Sequence, residues 1–344
     1  MNDLKKCVRV LVVEDSQLES QIMIRLLSSD PGIRIIGTAA NGAEGVRLAI
    51  ALRPDLITMD LDMPVMGGLD AIEVIMRECP IPILVLTSRT DAQFAYEAIS
   101  RGALEVMENP SFAGVDGSRF IHKIKLLARV QVIRHIKGKT RTGPGKAEET
   151  GRGIKFASCR QMVAIASSLG GPQALGKILS RLPADFPVPI VVAQHIATGF
   201  VKGFADWLNQ KTLLEVQVAA SGVVPKPGEV LIAPPEYNMR LTKTGKIELL
   251  PIVLHQIYQP SCDTLLCSVA QVYDRAAIGI ILTGMGDDGV KGMAKIKAAG
   301  GITIAQEKQS CSVYNMSRLV VESGTADYVL TAENIAEKLI RVAQ

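Results

Sequence analysis

Aromatic residues make up only 4% of this chain, with one tryptophan among 344 residues. So few rings exclude the stacking platforms on which single-stranded nucleic acids are held. A dominant sign of charge is also missing: 38 basic and 34 acidic residues leave a net +4, too balanced for a nucleic-acid partner. The apolar runs, such as Ile278–Leu282, fall far short of the ~20 residues a membrane span needs. The opening MNDLKKCVRVLVVED meets carboxylates too soon for a signal peptide. The six cysteines form no CxxC pair, which argues against structural zinc and fits a reduced, cytoplasmic protein with ordinary buried thiols. What is present, 48% hydrophobic and 21% charged residues, is a normal globular mixture, and the length predicts two or three domains.

Short apolar runs alternate with helical patterns over residues 1–134. Strands are expected at Val8–Val13, Ile33–Gly37, Asp55–Asp60, Ile81–Thr87 and Ala103–Met107. Between them, Ser16, Asn41 and either Thr90 or Asp91 are placed to cap helices, and the last helix spans Ser118–Arg134. This rhythm predicts a doubly wound parallel sheet. Residues 135–157, rich in Gly, Lys, Arg and Thr without periodicity, read as a flexible basic linker. The alternation restarts over 158–344 and predicts a second, larger α/β domain. Its helix at Val313–Ser323 is one of several expected there.

Two sets of side chains point to chemistry. Glu14 and Asp15 follow the first strand and Asp60 ends the third. In the order 2-1-3-4-5 those tips flank one crevice. Three carboxylates there call for a divalent cation, Mg²⁺ by preference, and an aspartate beside it can accept a phosphoryl group. Thr87 is in reach of such a group.

In the second half, Met162–Ala166 runs into Ser167-Ser168-Leu169-Gly170-Gly171-Pro172, close to a nucleophile elbow. The next strand ends at His195, and Ile278–Leu282 ends in Thr283-Gly284-Met285-Gly286-Asp287-Asp288-Gly289. Each motif alone is ordinary capping or turn sequence. Together, Ser168, His195 and Asp288 at three strand tips are the constellation of acyl transfer, with the Leu169 and Met285 N–H groups as oxyanion donors. The chain order Ser, His, Asp differs from that of α/β-hydrolases.

The motifs VLVVEDSQ (Val10–Gln17), DLITMDLDMPVMGGLDAI (55–72), LVLTS (84–88) and GALEVMENP (102–110) resemble a response-regulator receiver. That resemblance implies a flavodoxin-like fold, Asp60 as phospho-acceptor, Glu14 and Asp15 as its Mg²⁺ partners, and Thr87 as the switch hydroxyl. Asn109 stands where the family carries lysine, and Val106 where it carries an aromatic switch. The motifs VAIASSLGGPQAL (163–175), VVAQHIATGFVKGFADWL (191–208), QPSCDTLLCSVA (259–270) and IGIILTGMGDDGVKGM (278–293) resemble the catalytic domain of chemotaxis protein-glutamate methylesterases, the CheB family. This implies a mostly parallel α/β catalytic domain and a triad of Ser168, His195 and Asp288. It also implies hydrolysis of glutamate γ-methyl esters on chemoreceptors, deamidation of receptor glutamines in some members, a histidine kinase as phosphodonor, and no cofactor for catalysis. Leu169, Asn238 and Ala197 depart from the family's Thr, His and Pro. A receiver-scaffold protein without turnover is the alternative. A nucleotide binder is disfavoured, because the P-loop lysine and the dinucleotide spacing are both missing.

Overall fold

The computed structural model describes residues 7–87, 92–110, 117–130, 132, 161–253 and 256–343. The predicted linker, the Thr90/Asp91 cap, His135 and His255 lie outside the described residues.

The first sheet has the order β2-β1-β3-β4-β5, formed by β1 (Val8–Val13), β2 (Ile33–Ala39), β3 (Leu56–Asp60), β4 (Ile83–Thr87) and β5 (Glu105–Glu108). All its pairs are parallel. The helices between them are α1 (Gln17–Ser28), α2 (Gly42–Leu52), α3 (Gly68–Glu78) and α4 (Ala92–Arg101), with α5 (Gly117–Leu127) after the last strand. Ser16 and Asn41 cap α1 and α2 as their sequence positions require, each side-chain oxygen taking a backbone N–H three residues on. The helix expected to reach Arg134 ends at Leu127, where Ala128 to Val130 close it in a turn.

The second sheet has seven strands in the order β14-β13-β12-β6-β7-β9-β8, again with every pair parallel. Its centre is β12 (Ala277–Ile281), β6 (Met162–Ser167) and β7 (Ile190–Gln194), each buried along its whole length. Outside them lie β8 (Glu215–Val218), β9 (Glu229–Ile232), β13 (Ile302–Gln306) and β14 (Tyr328–Leu330). A separate antiparallel hairpin joins β10 (Tyr237–Leu241) to β11 (Ile247–Pro251) through the Lys243-Thr244-Gly245 turn. Covering helices are α6 (Gly171–Leu179), α7 (Val201–Asn209), α8 (Cys262–Tyr273), α9 (Val290–Ala298), α10 (Met316–Glu322) and α11 (Ala332–Val342).

One expected helix is corrected. Residues 313–315 are not helical, because they pair with the loop after β12. Gly284 N–H donates to Val313 O, and Val313 N–H to Thr283 Oγ1. The helix can begin only at Met316.

The two halves are packed together. Tyr96 of α4 stacks on Phe204 of α7, with ring centroids 5.1 Å apart. Trp207 Nε1 donates to Ser100 Oγ, and Gln173 of α6 donates to the carbonyls of Ile99 and Ala103. No helix among the described residues is long and apolar enough to cross a membrane.

Candidate active site and acidic pocket

The order of the second sheet brings the three chemical loops together. β6 lies between β7 and β12, so the segments after Ser167, Gln194 and Ile281 emerge side by side. Backbone bonds lace them. His195 N–H donates to Ser167 O, and Ser168 N–H donates to Thr283 O. The Gln194 side chain sits beneath as a buried clamp: its amide donates to the carbonyls of Ser168 and His195, and its Oε1 accepts the Ser167 hydroxyl at 2.6 Å. Sequence reasoning passed over Gln194, although it ends β7 directly before His195.

Ser168 is half-buried, and Gly284 passes directly against it. A Cβ on Gly284 would lie 2.7 Å from Ser168 Cβ and 2.2 Å from Met316 Sδ, so glycine is needed for this close approach. Behind Ser168, Gly170 takes φ +75° and opens α6, whose first N–H, that of Gly171, donates to Ser168 O. The Leu169 side chain is buried in the apolar cluster that holds Leu84, Leu86 and Leu104 of the first half.

His195 Nε2 lies 2.9 Å from Asp288 Oδ2. Asp288 is 4% exposed and accepts from the N–H groups of Cys262 and Asp263, at 2.6 and 2.8 Å, and from Ser261 Oγ. Burial pushes its carboxyl upward, but the bond and charge of His195 and the two N–H donors outweigh that, so it sits below the usual carboxylate range. The pairing uses Nε2, which leaves Nδ1 as the ring nitrogen with a free lone pair. Ser168 Oγ has no hydrogen-bond partner among the described residues.

Two neighbours of His195 were not anticipated. Tyr258 stacks on the imidazole, centroids 5.2 Å apart and planes 9° apart, and its hydroxyl donates to Asp287. Cys262 Sγ lies 3.5 Å from Nε2. The one available signal was its position directly after Ser261, which caps α8. Asp263 accepts from Gly289 and Gly292 N–H and so fixes the loop that carries Asp288.

In the first sheet, neighbouring β1 and β3 bring ligand oxygens of Glu14, Asp15 and Asp60 within 4.8 Å of one another. Burial, then the charge of Asp60, raises Glu14 to about 7, against one Ser16 N–H that lowers it. Burial likewise raises Asp60 to about 6. Three crowded hard oxygens are a fitting donor set for Mg²⁺. Asp60 pairs in register with Leu86, which places Thr87 one residue beyond it, buried at the tip of β4. Asn109 Nδ2 donates to Glu19 Oε2 at 2.6 Å and brings no charge to the pocket. Val106, with Tyr96 and Ile99, lines a crevice against His195, Ile196 and Phe200.

Comparison with known proteins agrees with both halves. The profile of the CheB methylesterase family matches residues 163–339, and that of the response regulator receiver domain matches residues 10–128. A Paramagnetospirillum magneticum protein named protein-glutamate methylesterase/protein-glutamine glutaminase 3 is 39% identical over 340 residues, covering 97% of this chain and 96% of that one. An Anaeromyxobacter dehalogenans protein of the same name, numbered 2, is 40% identical over 338 residues, covering 96% of each. The crystal structure of the Thermotoga maritima CheB methylesterase catalytic domain superposes with a TM-score of 0.52 at 42% identity, covering 54% of this chain and all of that one.

Proposed function

The chain belongs to the CheB methylesterase family, and from that premise we propose that it hydrolyses glutamate γ-methyl esters, and deamidates glutamines, on the cytoplasmic domains of chemoreceptors. Ser168 Oγ attacks the γ-carbonyl carbon while His195 takes its proton. Asp288 holds the ring and stabilises the imidazolium. The oxyanion is met by the N–H groups of Leu169 and Met285, aided by the positive end of α6. The C–O bond breaks and methanol leaves with the proton from His195; from a glutamine, ammonia leaves instead. Water then attacks the acyl-enzyme with His195 again as base, which frees the glutamate and restores Ser168.

The observation that supports this most is the His195–Asp288 pair, 2.9 Å long, at strand tips flanking the Ser168 elbow. A carboxylate held below its usual range beside a histidine serves general-base chemistry. The match over nearly the whole chain to proteins named protein-glutamate methylesterase/protein-glutamine glutaminase disfavours the receiver-scaffold alternative.

Residues 1–134 act as the receiver, joined by the linker 135–157 to a catalytic unit over 158–344. Asp60 accepts a phosphoryl group from a histidine kinase; Glu14, Asp15 and Asp60 would hold a Mg²⁺ ion, whose charge would offset that of the phosphoryl oxygens. Thr87 takes the switch role. The packing of Tyr96 and Ile99 near the His195 loop supports a receiver that restrains the catalytic half until it is phosphorylated.

The test is methanol release from methylated receptor membranes, with and without a small-molecule phosphodonor and Mg²⁺. Release that rises with the donor in the intact protein, stays flat in Asp60→Asn and vanishes in Ser168→Ala is expected. Turnover that persists in Ser168→Ala contradicts the triad. Turnover indifferent to the donor contradicts the switch alone.

A further inference from the structure

Ester hydrolysis by a serine gives the Cys262 thiol no task, yet Sγ lies 3.5 Å from the nitrogen that pairs with Asp288. The imidazole nitrogen, the thiol sulfur and a carboxylate oxygen all lie within 4.8 Å of one another. This donor set differs in kind from the all-oxygen cluster of Glu14, Asp15 and Asp60. Nitrogen and sulfur select Zn²⁺ and its thiophilic relatives, not Mg²⁺.

The spacing fits as well. Tetrahedral zinc with Zn–N near 2.0 Å and Zn–S near 2.3 Å has an N···S edge of about 3.5 Å. The N···O edge would be about 3.3 Å, so the Nε2–Oδ2 pair at 2.9 Å opens by a few tenths of an ångström. Supporting bonds are in place: the Asp288 carboxylate is held by Cys262 N–H, Asp263 N–H and Ser261 Oγ. Cys262 Sγ, buried at the first turn of α8, also touches Ala193 O at 3.4 Å. The His195 side chain is 13% exposed, so the ring is the member of the set nearest solvent.

We propose that His195 Nε2, Cys262 Sγ and Asp288 form a site for Zn²⁺ or another thiophilic divalent cation, and that filling it shuts the hydrolase off reversibly. Zn²⁺ displaces the thiol proton, which leaves to the buffer, and a Zn–S bond replaces the S–H bond. The metal takes the Nε2 lone pair, so the ring's single proton resides on Nδ1. That ring can no longer accept the Ser168 proton, and Asp288 is drawn to the metal. No oxidant or reductant is involved.

The inhibitory half rests on the hydrolase reading; the binding half does not. The test uses the full chain, with Co²⁺ as a spectroscopic stand-in titrated until thiolate-to-metal charge-transfer absorption saturates, and Zn²⁺ competing it away. Methanol release is followed in parallel. Wild type and Ser168→Ala should both develop the absorption at one equivalent, while Cys262→Val and Cys262→Ser do not. Each Cys262 variant should need at least about tenfold more Zn²⁺ to halve its own metal-free activity. Inhibition of the wild type should be reversed by a chelator. A charge-transfer band that survives in both Cys262 variants assigns it to another thiol and overturns the site. A band lost as expected with Zn²⁺ sensitivity unchanged overturns the inhibitory role. A normal band in a wild type that releases no methanol under any condition upholds the metal site and defeats the hydrolase reading.

Discussion

Asp288 Oδ2 is shared between the His195 ring at 2.9 Å and the Cys262 N–H at 2.6 Å, so one carboxylate ties the end of β7 to the start of α8. It is fixed before any substrate arrives, and its charge is directed at a single ring nitrogen.

Asp288→Asn tests that charge. The amide keeps the shape but reverses one end of the bond, since its NH₂ cannot accept from the ring. A fall in kcat of roughly 10⁴ is expected, with the fold retained, because the wrong tautomer is then favoured. Methanol release and a thermal melt measured together decide it, and a loss of less than tenfold contradicts the role.

Gly284→Ala tests the close approach behind Ser168. The new methyl group meets Ser168 Cβ and Met316 Sδ, and only the thioether can swing away. The serine must move, and small misplacements of a reacting group cost about 10²-fold. A kcat reduced by at least tenfold, with KM little changed and Tm within a few degrees, is the expected outcome.

Gln173→Ala tests the restraint between the halves. Its Nε2 donates to Ile99 O at 2.8 Å and to Ala103 O at 3.3 Å. Losing these bonds should loosen the packing and raise basal hydrolysis severalfold, and removing residues 1–150 should raise it further. Equal or lower activity in both would show that the docked arrangement does not inhibit.

Asp327→Asn tests electrostatics at the edge of the second sheet. Burial raises this carboxyl, but the Lys297 ammonium and the Thr303 hydroxyl and N–H together hold it below its ordinary range. A carboxyl depressed in the folded state binds fewer protons there than when unfolded. Its contribution is therefore complete above the unfolded value and is lost as pH falls through the lower folded one. The variant should be about 1–2 kcal/mol less stable than the wild type at pH 7, a gap that closes at an acid pH below the folded carboxyl's depressed range. Urea melts at the two pH values read this directly.

Much of the site was legible in the chain because its pieces are local. A buried apolar run followed by a polar turn marks a strand tip; Ser168 and His195 directly follow one, and Asp288 lies in the loop after another. Capping by Ser16 and Asn41 is likewise a matter of three residues. The helix expected from Val313 failed for the opposite reason: three residues with acceptable local pattern were claimed by a loop nearly thirty positions earlier.

The sequence by itself determined which segments are strands and which chemical groups follow them, because a short unbroken apolar run between polar turns marks a parallel strand buried on both faces. Tertiary structure alone decided that β12 lies beside β6, more than a hundred residues away in the chain, and so that Asp288 meets His195 at all. It alone chose Nε2 for that meeting, laid Tyr258 on the ring, brought Cys262 to the same nitrogen and set Tyr96 on Phe204. These are contacts between distant segments, fixed by how whole faces pack. No window of neighbouring residues carries the energy that selects them.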